Sequence, residues 1–428
     1  MSIDEVRYEP ASASGPLAAF SPFAPETLQN PYPFFAALRE HAPVLLMPRV
    51  GYYSVARYDD IVSVVMDTDS FSSNLVSILI AGPDGPSAIE PPSGSGGIVD
   101  VLALQDPPVH GPQRKLTHGA ISTRFVQTLE ARIREMSSEL LDAALSGAAG
   151  STGEVDWMGE YSKRLPMAVA LELVGFPRED WAEVKESCDH AVALLSGINT
   201  PEEFRQHAAG SAGLFKYVRD RAKEARRAPL GDDLTGTLLQ AAAGDGEESL
   251  TEDEVVSIIA QILIAGNDSS ASLMGNALWR IAADNALETE LRAEPGRIPD
   301  FIEEVLRLEP PFHGHFRQAK TDTEVAGVKL AKGSRLMLLW GSGNRDESQF
   351  PRPDVLDMDR PNKQSHLAFG HGIHLCLGAS IARLEARITF EELLRRTTSI
   401  EAAENEVTYV PSVFVRTPAR VGIRFKLA

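Results

Sequence analysis

Cys376 is the side chain with the widest chemical reach in this sequence. It stands in HLAFGHGIHLCLGASIARLEAR, residues 366–387, between a glycine-punctuated loop and a stretch of helical periodicity. Gly370, Gly372 and Gly378 let the backbone turn tightly and come close to a flat ligand. The free N–H groups that open a helix point toward the sulfur and, with the helix dipole, favour thiolate over thiol. Other cysteine chemistries fit less well. A zinc site lacks a second cysteine pair. Covalent attachment of a c-type haem needs C-x-x-C-H, which is absent. His374, two residues away, is poorly placed for a Cys–His dyad. An inert buried cysteine is the bland alternative.

Three further constellations stand in segments of helical pattern. Glu304 and Arg307, in DFIEEVLRLEP, are three apart and share a helix face. Such pairs are usually solvated and contribute little. In LIAGNDSSAS, residues 263–272, Asp268 and Ser269 follow VVSIIAQILIAG, which is apolar nearly all round and reads as a buried helix. Polar groups there are costly unless satisfied or functional. Ser269 bonding back to a carbonyl, with Asp268 capping or facing solvent, is the alternative. In LQDPPVHGPQRKL, residues 104–116, a Pro-rich turn enters a helix on which His110 and Arg114 are four apart. Arg317 follows in PPFHGHFRQA, where His313 and His315 read as pocket lining or turn hydrogen-bonders rather than ligands.

The elements that must hold these residues are mostly helices. Segments 121–146, 156–174, 178–195, 202–226 and 251–285 carry apolar residues at helical spacing, as do 32–41 and 378–396. Asp59 is placed to cap a helix through IVSVVMD. Residues 43–56 read as a strand pair turning at Gly51, short strands recur between 317 and 340, and 406–427 has the pattern of a terminal β-hairpin. Residues 81–97, rich in Gly and Pro, read as a long loop of the kind that forms lids or, alternatively, a disordered insert. Residues 1–25 read as irregular. With neither repeats nor a clear linker, 26–428 is expected to be one domain, mainly α with small β-sheets. It lacks the alternating βαβ order of a dinucleotide-binding fold.

The chain has 428 residues, 43% apolar and 24% charged, and a formal net charge of −19. That sign argues against nucleic acid and anionic lipid as main partners. Two cysteines, Cys188 and Cys376, far apart in sequence, point away from a disulfide framework and toward a reducing, cytoplasmic setting. No signal peptide and no apolar run of membrane-spanning length is evident.

The segment Phe369-Gly370-x-Gly372-x-His374-x-Cys376-x-Gly378 resembles the haem-binding loop of the cytochrome P450 family at every fixed position. The resemblance implies heme b held between a long distal helix and the Cys-loop helix, with Cys376 as thiolate ligand to the iron. Such a thiolate pushes electron density that helps break the O–O bond. It implies that Phe369 packs by the sulfur, and that His374, His110, Arg114 and Arg317 contact the haem propionates. It joins Glu304 and Arg307 with Arg360 of DMDRP in a structural ion network. GNRD, residues 343–346, is similar to the family's A-N-R-D. Over the distal face, Ala265 and Gly266 would leave room for dioxygen, and Asp268 and Ser269 would relay protons. Ser269 stands where the family usually has threonine, so the hydroxyl is kept while rotamer restriction is weakened.

The implied activity is monooxygenation of a hydrophobic organic substrate. Dealkylation, desaturation or oxidative coupling at the same site is the alternative, and a non-catalytic haem sensor a more distant one. Electrons would come from a separate ferredoxin or flavodoxin-type protein with an NAD(P)H reductase, drawn to a basic patch of Arg114, Lys115, Arg383 and Arg387. The expected substrate walls are loop 78–103, residues near 185–215, Leu263–Ser269, Pro311–Phe316 and Ser412–Val415. A monomer is expected.

Overall fold

In a computed structural model of the chain, the residues described are all but 1–9, 13, 48, 75–76, 83–84, 90–98, 122, 147–151, 228 and 244–248. Helices dominate, as the periodicity implies, and the described residues form four small sheets. The central element is the helix Glu252–Ala283 of 32 residues. Its start is fixed by a capping box: Thr251 accepts from the Glu254 N–H while the Glu254 side chain accepts from the Thr251 N–H. Nineteen of its residues are buried, on every face, the signature of a helix enclosed by others. The helices Leu165–Val174, Trp181–Ala193, Pro201–Ala225 and Leu234–Ala242 pack on it, as does Ala379–Arg396, the helix that follows Cys376. The largest core cluster joins Leu165–Val174, Glu252–Ala283 and Ala379–Arg396 to Thr123–Leu145 and Ile298–Leu308, with Trp157, Tyr161, Phe301 and Phe390 fully buried in it.

The largest sheet has five strands in the order Val44–Leu46, Tyr52–Val55, Arg335–Leu338, His315–Ala319 and Phe71–Ser72. Gly51, with φ +69°, makes the turn between the first two. Pairing of Leu336 with Arg317 and Met337 with Phe316 fixes the side of the sheet to which each points.

Three expectations need correction. The terminal segment is not a hairpin: Gly422–Leu427 pairs with Thr397–Ala402 and with Thr152–Asp156, and Tyr409 and Pro418 form only an isolated bridge. Asp59 is not a cap. The helix Tyr58–Met66 starts one residue earlier, and the Tyr58 N–H donates to the Asp346 carboxylate at 2.9 Å. The 81–97 stretch is not wholly a loop, because Ile78–Gly82 and Gly85–Ile89 pair antiparallel. Residues 83–84 and 90–97 of that stretch lie outside the described residues.

Candidate active site

The Cys loop is shaped by its own backbone. The Cys376 N–H donates to the Phe369 carbonyl at 2.9 Å and the Leu375 N–H to Gly372 at 3.1 Å. Gly370 and Gly372 have φ of +69° and +68°, where a side chain would be strained. Cys376 keeps accessible surface although protein surrounds it, as a residue lining an internal cleft does. Burial pushes its thiol pKa up. The N–H groups of Gly378 and Ala379 and the cations of Arg114 and Arg383 pull it back. Phe369 lies in the same loop, with the Arg383 guanidinium 4.4 Å from its ring and His366 at 5.7 Å.

Four basic side chains from three segments meet beside this loop. The rings of His110 and His374 are 4.2 Å apart. Arg114, one turn beyond His110, donates to the Leu375 carbonyl at 2.5 Å, and Arg317 reaches from its strand to the Phe316 carbonyl at 2.7 Å. Burial is the first cause lowering all four pKa values; it brings Arg317 to about 10 and, with His110 and Arg317 beside it, His374 to about 3. Among the described residues neither arginine has a carboxylate in ion-pair range, Asp106 acting only from a distance, and Nε2 of His374 has no partner. Buried cations left without an anion are costly. A thiol over N–H donors and a cluster of unpaired cations thus fit a haem: an iron ligand on one side and donors for two propionates at the edge.

Behind the loop, Glu304 and Arg307 are fully buried and doubly bonded, at 2.7 and 2.9 Å. Arg360 reaches the same carboxylate at 3.1 Å. Arg307 also donates to the carbonyls of Asn344, Pro353 and Val355, and Arg360 to that of Pro351. The network thereby clamps the chain between 344 and 360. Within GNRD, Asn344 accepts from the Leu367 N–H at 2.6 Å and ties this clamp to the Cys loop.

On the distal helix, Ala265 is exposed in an otherwise enclosed stretch. Gly266 faces Ala170, whose Cβ is 3.7 Å from where a Gly266 Cβ would lie. Ser269 donates to the Ala265 carbonyl at 2.7 Å, the back-bonded arrangement. Asp268 is neither cap nor solvent-facing. Its carboxylate accepts from Thr417 at 2.8 Å, Thr417 is 2.6 Å from Ser272, and burial raises its pKa. Next to it, Asn267 donates to Asp189 at 2.8 Å, and Asp189 pairs with Lys185 at 2.5 Å. Sequence reasoning missed Thr417, Asp189 and Lys185, none of which stands in a motif. It also missed Glu385, fully buried, bonded to Ser270 and raised by burial to about 7.

Residues from four of the five expected wall segments converge, loop 78–103 contributing none to the cluster. Val192, Leu195, Ile264, Phe312, Phe316, Phe414 and Val415 form one apolar cluster, with the Phe312 and Phe414 rings 4.9 Å apart. An apolar cavity of about 50 Å³ shares Phe316 with it and is lined also by Phe34, Met47, Tyr52, Leu79 and Val413. His313 lines that cavity, and His315 accepts from the Trp340 indole at 2.8 Å. The basic patch is corrected: Arg383 is paired with Glu303, and Arg387 with Glu130 and Glu391.

Comparison with known proteins is decisive on the family. The cytochrome P450 family model matches residues 198–423. Cytochrome P450 144 of Mycobacterium tuberculosis is 33% identical over 403 residues, covering 93% of this chain and 90% of that protein. The chain belongs to the cytochrome P450 family. It is a monooxygenase of that family, whose members hold haem through an axial cysteine thiolate. Cyclomarin C epoxidase of Salinispora arenicola is 34% identical over 390 residues, 91% of this chain and 94% of that one. Among solved structures, cytochrome P450 CYP109Q5 of Chondromyces apiculatus superposes with a TM-score of 0.81 at 36% identity, covering 95% and 98% of the two chains. CYP109E1 of Bacillus megaterium, in complex with testosterone, gives 0.82 at 29%, covering 94% and 99%. Among the described residues, no helix of this P450 is long and apolar enough to cross a membrane.

Proposed function

We propose that this P450 inserts one oxygen atom of O2 into a hydrophobic organic substrate, with Cys376 as the thiolate ligand. Electrons would come from a separate ferredoxin or flavodoxin-type donor and its NAD(P)H reductase. The observation that carries the site is the pairing of a cleft-lining Cys376, over the N–H groups of Gly378 and Ala379, with the unpaired cations of Arg114 and Arg317. Haem, when bound there, supplies the redox chemistry that activates dioxygen. Arg114, Arg317, His110 and His374 would bind its propionates and fix its rotation in the cleft. Glu304, Arg307 and Arg360 hold the loop behind the sulfur and have no part in the chemistry.

Asp268 is proposed to hold a proton and pass it by way of the Ser269 hydroxyl into the cleft beside Ala265. Its raised pKa keeps a proton available nearer neutrality than an ordinary carboxyl would. Ser269 must leave the Ala265 carbonyl to take part, and serine turns more readily than a β-branched residue. The aromatic and aliphatic cluster around Phe312 and Phe414 suits a neutral, apolar substrate. The testosterone bound to CYP109E1 makes a steroid a reasonable first probe.

The test is the carbon monoxide difference spectrum of the reduced protein. Wild type should give the strongly red-shifted Soret band of thiolate ligation, and Cys376→Ala should lose it. A band at the position typical of histidine ligation in wild type would remove the assignment. Testosterone should then shift the spin state of the wild-type protein. Asp268→Asn should keep the thiolate spectrum while turnover falls about 10²-fold or more; unchanged turnover would end the relay assignment.

A further inference from the structure

His190, in the last turn of the helix Trp181–Ala193, and His207, in the helix Pro201–Ala225, face each other across the seam between these helices. Their Nδ1 atoms are 2.9 Å apart and their ring centroids 5.2 Å. Both rings are half-buried, so solvent reaches the pair. The pair is built in by the opposite helix: a Cβ at Gly210 would lie 2.1 Å from the His190 ring, so only glycine leaves the notch the imidazole fills.

We propose that His190 and His207 form a two-histidine site for a divalent transition-metal ion bridging the two helices. Two imidazole nitrogens bound to one metal at about 2.05 Å are about 2.9 Å apart when the angle at the metal is 90°, and about 3.3 Å apart when it is tetrahedral. The observed 2.9 Å matches the right-angled case. That geometry belongs to square-planar or octahedral Cu²⁺ and Ni²⁺ rather than tetrahedral Zn²⁺. In the metal-free pair one ring donates its Nδ1 proton to the other. On binding, that ring moves its proton to Nε2 and both Nδ1 lone pairs turn onto the ion. No third His, Cys, Asp or Glu completes a set among the described residues, so water fills the remaining positions. The nearby carboxylates are otherwise engaged, Glu203 in the cap of its helix with Thr200, and Asp189 with Lys185 and Asn267.

The experiment is calorimetric titration of tag-free, haem-loaded protein with NiCl2, CuSO4 and ZnSO4, for wild type, His190→Ala and His207→Ala. Both variants should keep the wild-type carbon monoxide spectrum, which shows them folded. The proposal expects one equivalent of Ni²⁺ or Cu²⁺ at micromolar concentration, weakened at least tenfold in each variant, with Zn²⁺ weaker than Ni²⁺. Absence of stoichiometric binding in wild type, or equal binding in the variants, would overturn the site. Zn²⁺ binding tighter than Ni²⁺ would overturn the right-angled geometry.

Discussion

Two clusters of arginine lie on either side of the Cys loop, and they are built on opposite principles. Behind the loop, Arg307 and Arg360 converge on one carboxylate, Glu304, and their remaining donors go to backbone carbonyls. Beside the loop, Arg114 and Arg317 meet two histidines and have no carboxylate in ion-pair range among the described residues. The first cluster is complete within the chain and can only hold structure together. The second keeps positive charge, buried at Arg317 and partly buried at Arg114, that the described residues do not neutralise. Burial lowers the Arg317 pKa to about 10, a measure of how unwelcome that charge is without an anion. Internal completeness therefore separates a structural charge cluster from a binding one, even where the residue types are the same.

Breaking the complete cluster should have the largest effect. Glu304→Gln leaves two buried guanidinium groups without their anion and should cost about 3–5 kcal/mol of stability, read from chemical denaturation. A loss under about 1 kcal/mol would mean that the backbone carbonyls suffice, and the contrast would fail. Glu385 sharpens it from the other side, as a buried acid with no paired cation among the described residues. Burial pushes its pKa up to about 7, from an ordinary 4.5. A raised acid pKa gives stability that is present below about pH 4.5 and lost as pH rises through about 7, on the order of 3 kcal/mol in total. Glu385→Gln should flatten this part of the stability–pH curve. An unchanged slope would mean that Glu385 does not titrate there.

The incomplete cluster should respond with the opposite sign. Arg317→Gln removes an uncompensated charge, so the haem-free protein should be no less stable. Haem binding should weaken by about 1.5–3 kcal/mol, the usual worth of a charged hydrogen bond. Haem transfer to an acceptor protein, measured beside denaturation of the apoprotein, gives both quantities. A variant that loses stability without haem would place Arg317 with the structural arginines.

The same division marks how far the sequence could be read. The Cys loop was legible because its constraints are local: two glycines at positive φ, a cysteine and a helix start lie within ten residues. Glu304 and Arg307 were legible as a pair because three residues of helix separate them, but the carbonyls they clamp could only be seen in the fold. The basic patch was misread for the same reason. Arg383 looks free in sequence because its partner Glu303 sits on another helix, and of the two partners of Arg387 only Glu391, four residues on, could be read locally, Glu130 lying on another helix. The terminal strand was legible as alternation, but alternation does not name a partner, and Gly422–Leu427 pairs with strands that begin 25 and 270 residues earlier. Asp59 is a natural cap by type, yet Asp346, distant in sequence, already takes the N–H at the helix start.

The smallest effect should come from Thr417, whose contact with Asp268 joins a terminal loop to the distal helix. This hydroxyl donates a hydrogen bond that opposes burial at Asp268, holding its pKa below the value burial alone would set. Thr417→Val keeps the shape and removes the donor. A lost hydrogen bond of about 1 kcal/mol corresponds to roughly 0.7 of a pKa unit. If Asp268 acts as a proton donor, activity falls as pH rises through its pKa. Removing Thr417 should then move that alkaline limb upward by about half a unit to one unit, with the thiolate spectrum intact. A purely structural Thr417 would lower stability slightly and leave the limb where it was. The pH–rate profile of a single methyl-for-hydroxyl exchange thus decides whether Asp268 works as an acid or is only a buried partner of the terminal loop.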